Sequence, residues 1–331
     1  MAAIPDAGVV ARDRALRRQR RAENFPVALR LLPRRLRADL VAVYDVVRVI
    51  DDLGDAAAGD RIALLEEFGR DLATVWDGGE PEHSVLRRLV PTVRSRGLDR
   101  EPFERLLQAN VVDQLVHRYV TYAGLRRYCT LSAEPVGRIV LALFGVGAAG
   151  VCLPVAIELS DRVCAALQMI EHWQDVAEDR RVGRVYLPQE DLAAFGVAQA
   201  ELDGTVASPA LRRLMVFQID RAAELLDSGA PLVRLLSGWA RLAVAGYLAG
   251  GRAALDALRR AHGDVLAGPP RPRRRDLLRH LTRLLTRTSA AAPEFDNSAV
   301  GPRPDSAVVE LGAVRTVGSG EPKREKRGEV R

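Results

Sequence analysis

Lysine is nearly missing from this chain. Of 49 basic residues in 331, only Lys323 and Lys326 are lysines, and the remaining 47 are arginines. Cysteine is scarce as well: Cys129, Cys152 and Cys164 form no C-x-x-C pair, and their odd number leaves one unpaired. That excludes a disulfide scaffold, argues against a cysteine-rich zinc or iron–sulfur centre, and points to a reducing compartment. Aromatic residues make up 5% of the chain, too few for a base-stacking surface, so no nucleic-acid partner is expected. Alternating apolar and polar runs of strand length are missing, and so is any repeat of solenoid period. The N-terminus does not read as a secretory signal, because its short apolar run at 7–11 precedes the arginines instead of following them.

What is present is helical. Hydrophobic residues at 48% and charged residues at 28% fit a soluble globular protein with ample chain for a core. Ile62, Leu65, Phe68, Leu72 and Val75 follow the three-four spacing of one helical face, and Ala, Leu and Arg, all strong helix formers, dominate. Breakers punctuate the periodic runs at 78–81, 96–99, 182–184, 208–209 and 268–270. The expected architecture is all-α: a basic arm at 1–22, one helical domain at 23–287, and a tail at 288–331 too polar and Pro/Gly/Ser-rich to bury a core. The net charge of +6 divides unevenly. Residues 1–40 and 270–287 each carry +6 and the tail is neutral, leaving −6 for 41–269. The arginine excess fits GC-rich coding, and the basic flanks also suit an anionic membrane surface.

The uncharged stretch Ile139–Ile157 reaches membrane length, but its glycines and Pro154 predict a buried, broken helix lining an apolar cavity. Within it, Gly145-Val-Gly147-Ala-Ala-Gly150 matches the dinucleotide fingerprint GxGxxG. A lone match needs a strand before it and a helix after it, and this sequence shows no βαβ alternation.

Two acidic clusters carry the chemistry. At 100° per residue, Tyr44, Arg48, Asp51 and Asp55 fall on one helical stripe with Asp52 beside it. Some 120 residues later, Gln168, His172, Asp175 and Asp179 share a second stripe. Both place aspartates one turn apart. Mg²⁺ wants oxygen ligands and keeps open positions for substrate phosphates and water. Two such helices facing each other suit a diphosphate leaving group, whose departure leaves a carbocation that needs an apolar pocket. A merely solvated acidic face explains one such cluster better than it explains two.

At these residues the sequence resembles the squalene/phytoene synthase family. Tyr44, Arg48, Asp51, Asp52 and Asp55 match its first motif; Gln168, Asp175, Asp179 and the following Gly183-Arg184-Val185-Tyr186-Leu187-Pro188 match its second; Tyr128 and Ala133–Gly137 match its central tyrosine and small-residue helix. Glu23–Val27, Leu32-Pro33, Tyr128-Cys129 and Trp173-Gln174-Asp175 look most like the bacterial hydroxysqualene synthase branch of hopanoid biosynthesis. The resemblance spans roughly Glu23 to Arg275 and implies a single-domain helical prenyl synthase around a central apolar cavity. It implies two or three Mg²⁺ ions on Asp51, Asp55, Asp175 and Asp179, with Glu171 as a further candidate ligand. Arg37, Arg48, Gln168, Arg184 and Tyr186 would contact the diphosphate, while Tyr128 and Asp52 would serve the chemistry. The implied substrate is presqualene or farnesyl diphosphate, with no NADPH required. The implied setting is the cytoplasm, at the inner leaflet, beside other squalene and hopanoid enzymes. Glu134 and Glu171 stand where the family usually has Asn, and Val116 near a common basic position. Rival readings are head-to-head condensation of two prenyl diphosphates, a non-catalytic membrane-associated relative, and a nicotinamide oxidoreductase.

Overall fold

The computed structural model describes residues 32–148 and 150–286. The arm at 1–22, the Glu23–Val27 motif and the tail at 288–331 lie outside them.

The first helix, α1 (Arg34–Asp55), follows Pro33 and buries Leu36, Leu40, Val43, Val46 and Ile50 along one face. Three-four spacing makes this burial possible, and burial of that face, more than intrinsic propensity, stabilises such a helix. α2 (Arg61–Asp77) buries Leu65, Phe68, Leu72 and Val75, as their spacing predicts. α3 (Ser84–Arg96), α4 (Glu101–Leu115), α5 (Tyr122–Ser132) and α6 (Glu134–Leu143) follow. Thr121 opens α5 by accepting from the Gly124 amide at 3.1 Å. After a turn come α7 (Leu153–Gln174), α8 (Val176–Arg181), α9 (Gln189–Ala194), a 3₁₀ turn (Gln199–Asp203), α10 (Pro209–Gly229), α11 (Leu232–Leu235), α12 (Gly238–Arg260) and α13 (Arg274–Thr286). The predicted breakers fall between these helices or at their ends. Among the described residues no sheet forms; Arg118 and Val185 make one isolated parallel bridge.

Two apolar clusters fill the body. The first gathers α1 to α4 with Ile139 and Leu143 of α6. The second gathers α5 and α7 to α13 with Ala109 of α4 and Leu141 of α6. α4 and α6 therefore contribute to both clusters, and Phe144 packs against each. α7 is the axis of the second cluster, packed by α5, α6, α10 and α12. Its approach to α10 is close enough that a Cβ on Gly229 would lie 2.6 Å from Val163 Cγ2 and 2.7 Å from the Leu159 carbonyl oxygen.

The apolar stretch 139–157 is broken, as its glycines predict, but buried only in part. α6 ends at Leu143, and the chain turns through Gly145 (φ 66°) and Gly150 (φ 76°), a backbone region open to glycine. It re-enters helix at Leu153 with Pro154 in the first turn. Ile139, Leu141, Leu143 and Val146 are buried, whereas Gly145, Gly147, Gly150 and Leu153 are exposed. The GxGxxG match is thus a helix-to-helix surface turn with no strand before it. No described helix is long and apolar enough to cross a membrane.

Candidate active site

α1 ends on its aspartates. Asp51, Asp52 and Asp55 lie at its end, and its last turn holds no basic residue, so carboxylates sit against the negative end of the helix dipole. Asp51 is also half-buried. Burial raises its pKa to about 6, with Asp55 and Asp52 adding to the rise and the Asn110 hydrogen bond and Arg48 opposing it. Asn110 on α4 donates to Asp51 at 3.4 Å, and Gln114, one turn on, donates to the Gly54 carbonyl at 2.9 Å. Gly54 leaves room for this clasp, since a Cβ there would collide with the Asn110 amide. Arg48 pairs with Asp52 at 3.0 Å.

The second cluster differs from its predicted form. One continuous helix was expected to carry Gln168, His172, Asp175 and Asp179. Instead the chain bends at Asp175 (φ −104°, ψ 15°), which ends α7 and begins α8. Asp175 thus sits at the negative end of α7, crowded by like charge. Its pKa rises to about 6, first from burial and then from Glu171, Glu178 and Asp179, with His172 opposing. The stripe itself persists: the Gln168 amide lies 3.3 Å from His172 Nε2, and His172 Nδ1 lies 3.8 Å from Asp179. Glu171 is exposed beside them. His172 is buried and stacks on Tyr186, ring centroids 3.7 Å apart.

The loop after α8 brings the two clusters together. Its backbone zips onto the α4–α5 linker: Val185 donates to the His117 carbonyl at 2.9 Å, and Gln189 to the Tyr119 carbonyl at 2.9 Å. Arg184 then reaches across to Asp55 at 2.9 Å. Its guanidinium loses hydration, yet Tyr186, Asp55 and Asp113 hold its pKa above the ordinary arginine value. Beside it lies a buried polar nest. Tyr128 of α5 donates to Asp113 of α4 at 2.5 Å, and Tyr186 donates to the other carboxylate oxygen at 3.2 Å. Burial raises the Asp113 pKa against the pull of Tyr128, Arg184, His172 and Tyr186. A cleft of mixed polarity opens here, lined by His172, Val176, Asp179, Arg184, Val185, Tyr186, Leu187 and Leu202.

Asp51, Asp52, Asp55, Arg48, Asp175, Asp179, Gln168, Arg184, Tyr186 and Tyr128 are therefore joined by contacts within their own cluster or through the Arg184 loop. Arg37 is not among them. It lies in the first turn of α1, about 21 Å along the axis from Asp51 at ~1.5 Å per residue. Glu134 belongs to another network: it is buried between Arg126 at 3.4 Å and Arg138 at 3.9 Å, and two guanidiniums there balance the charge an Asn would lack. Val116 caps α4 and packs on the second apolar cluster. Asn110, Gln114 and Tyr119 were missed from sequence. The i, i+4 spacing of the two amides on α4 was the available signal, but a polar pair at that spacing reads as an ordinary solvated face.

The donor set fits a hard divalent cation. Asp51, Asp55, Asp175 and Asp179 supply carboxylate oxygen, and two of the four are held above their ordinary pKa, first by burial and then by neighbouring carboxylates. Among the described residues no three acidic, histidine or cysteine side chains converge as one ion's ligands. Any ion here would take part of its shell from substrate oxygens and water, as Mg²⁺ commonly does.

Comparison with known proteins places the chain in a family. The squalene/phytoene synthase family profile matches residues 18–280. The chain is 31% identical over 255 residues to a 15-cis-phytoene synthase of Synechococcus elongatus, covering 74% of this chain and 82% of that one. It is 35% identical over 215 residues to the hydroxysqualene synthase of Rhodopseudomonas palustris, covering 64% and 70%. Among solved structures, squalene synthase HpnC from Alicyclobacillus acidocaldarius superposes with a TM-score of 0.69 at 37% identity, over 78% of this chain and 96% of that one. A ligand-bound dehydrosqualene synthase superposes with a TM-score of 0.73 over 84% and 96%; at 23% identity it speaks to the fold alone. With helical fold, paired aspartate clusters and family profile in agreement over most of its length, the chain is a member of the squalene/phytoene synthase family.

Proposed function

We propose that this enzyme ionises presqualene diphosphate and lets water capture the resulting cation, giving hydroxysqualene. The observation that carries this reading is the buried Asp113–Tyr128–Tyr186 nest beside the Arg184–Asp55 contact. It supplies a proton acceptor where the diphosphate end of a substrate would meet the core. The hydroxysqualene synthase of R. palustris, at 35% identity, supports the same branch.

Asp51, Asp55, Asp175 and Asp179 would hold Mg²⁺, with Glu171 near enough in sequence to assist. Bound there, the metal would neutralise charge on the departing diphosphate. Arg184, and Arg48 if released from Asp52, would contact diphosphate oxygens. As the C–O bond breaks, its electron pair leaves with the diphosphate. The cyclopropylcarbinyl cation rearranges, and nearby tyrosine rings would favour positive charge at an open π face. Water then forms the new C–O bond and loses a proton. No electrons are exchanged, so the reaction as written needs no NADPH.

The second reading is head-to-head condensation of two prenyl diphosphates, favoured by the 31% match to a phytoene synthase over the longer span of 255 residues. Incubating the protein with Mg²⁺ and either presqualene or farnesyl diphosphate, with and without NADPH, separates the two. Hydroxysqualene from presqualene diphosphate alone supports the first reading. Turnover of farnesyl diphosphate only supports the second, and turnover of neither removes both. The apolar substrate and product also support docking at the inner leaflet near enzymes that supply and consume them.

A further inference from the structure

One buried hydroxyl next to this nest has no partner. Tyr119 lies in the α4–α5 linker, its side chain is 7% exposed, and its oxygen meets no hydrogen-bonding group. An unpaired buried hydroxyl is costly, so its presence calls for a water, an ion or a function. The residue is held firmly. Its carbonyl accepts from the Gln189 amide at 2.9 Å, and its ring is packed by Tyr128 at 5.4 Å and by Tyr186, nearly parallel, at 5.9 Å. Those two neighbours are the residues whose hydroxyls donate to Asp113. The Tyr119 hydroxyl feels the charge of Asp113, and burial with that charge raises its pKa, so it stays a neutral donor and acceptor. Each Asp113 oxygen accepts from one tyrosine and has a second lone pair to offer. A water between Tyr119 and Asp113 would find the polar partners that a buried water needs.

We infer that Tyr119 holds the water that captures the carbocation, and that Asp113 takes the proton. This rests on the hydroxysqualene reading above. The Tyr119 hydroxyl donates to the water, and the water donates to Asp113, which leaves a lone pair for the cationic carbon. That pair forms the C–O bond. One O–H bond of the resulting oxonium then breaks, its electrons stay on oxygen, and the proton passes to the Asp113 carboxylate. Tyr128 and Tyr186 have a second duty in this scheme. Their hydrogen bonds blunt both oxygens of Asp113, so the carboxylate does not itself trap the cation as an ester.

The test is the product ratio of full-length Tyr119→Phe with presqualene diphosphate and Mg²⁺, read per substrate consumed. The ring is kept and only the unpaired oxygen is lost. Capture should then lose to proton loss from the cation, and the ratio of alcohol to hydrocarbon should fall about tenfold or more, a ~1.4 kcal/mol change in that competition. Asp113→Asn probes the same water from its other side and should lower the same ratio. The double variant should do no worse than the more severe single one, because both act on one water. An unchanged ratio in either single variant overturns the inference, as does a raised KM with the ratio intact, which would make Tyr119 a diphosphate contact. Wild-type protein that forms no alcohol overturns the hydroxysqualene reading and this inference with it. An alcohol-forming wild type with an unaltered Tyr119→Phe ratio overturns the inference alone.

Discussion

Asp51 is placed where its charge costs stability. Its carboxyl is held at about 6 by burial and by neighbouring carboxylates, above the value of 3.8 that an exposed Asp has. The sign follows from linkage. The charged form is disfavoured in the fold, so the penalty is absent below 3.8, grows between 3.8 and about 6, and is full above that. In metal-free protein well above pH 6, Asp51→Asn should therefore melt higher than wild type, and the gap should close on acidification. A wild type as stable as the variant at all pH values would contradict the assignment. Function has the opposite demand: Asp51→Ala and Asp175→Ala should each abolish turnover with helicity intact, measured by product assay and circular dichroism. Arg184 bridges to Asp55 and is proposed above to contact the diphosphate. Removing one charge-assisted contact is worth about 1.5–3 kcal/mol, so Arg184→Gln should lower kcat/KM by roughly 10- to 100-fold. The aspartates were legible in the sequence because their i, i+4 spacing repeats. Asn110, Gln114 and Tyr119 were not, because their meaning comes from which distant residues they touch.

α7 is the element on which the second cluster depends. Its approach to α10 relies on Gly229, where any side chain would meet Val163 and the Leu159 carbonyl. Gly229→Ala should cost about 1–3 kcal/mol by overpacking, seen as a lower Tm, and should also reduce turnover by displacing the turn that carries Asp175. A variant with wild-type Tm would show that the contact is slack. The helices, their apolar faces and their breakers were readable because period and punctuation are local properties. Two features were not. The bend at Asp175 interrupts a stripe that the sequence presents as continuous, and nothing in Trp173–Val176 is a helix breaker. The stretch 139–157 promised burial by composition, yet its glycines turn it outward between α6 and α7. Apolar small residues fit a surface turn as well as a core, and only the tertiary packing decides.

At the scale of the molecule, net charge was a poor guide to the site. The +6 arises in the flanks, while residues 41–269, with the paired aspartates, carry −6. Of the basic flanks, the described parts are the start of α1, where Arg34 and Arg35 are exposed, and the segment leading into and through α13, where Arg271, Arg273, Arg274, Arg275 and Arg283 are exposed. Arginine on an anionic surface contributes about 1 kcal/mol per residue, weakened by salt. Binding to vesicles containing anionic lipid should therefore fall with salt and on reversing the charge of Arg274 and Arg275. Binding indifferent to lipid charge and salt would leave genome composition as the reason for the arginines. The deeper claim is that two carboxylate clusters, brought together by the Arg184 loop, release diphosphate beside a buried nest that delivers water. Incubation with presqualene diphosphate and Mg²⁺ in ¹⁸O-enriched water, without NADPH, tests this most directly. The account predicts hydroxysqualene with ¹⁸O in its hydroxyl and unlabelled oxygen left with the diphosphate. Hydrocarbon alone, or an alcohol without the label, would contradict it.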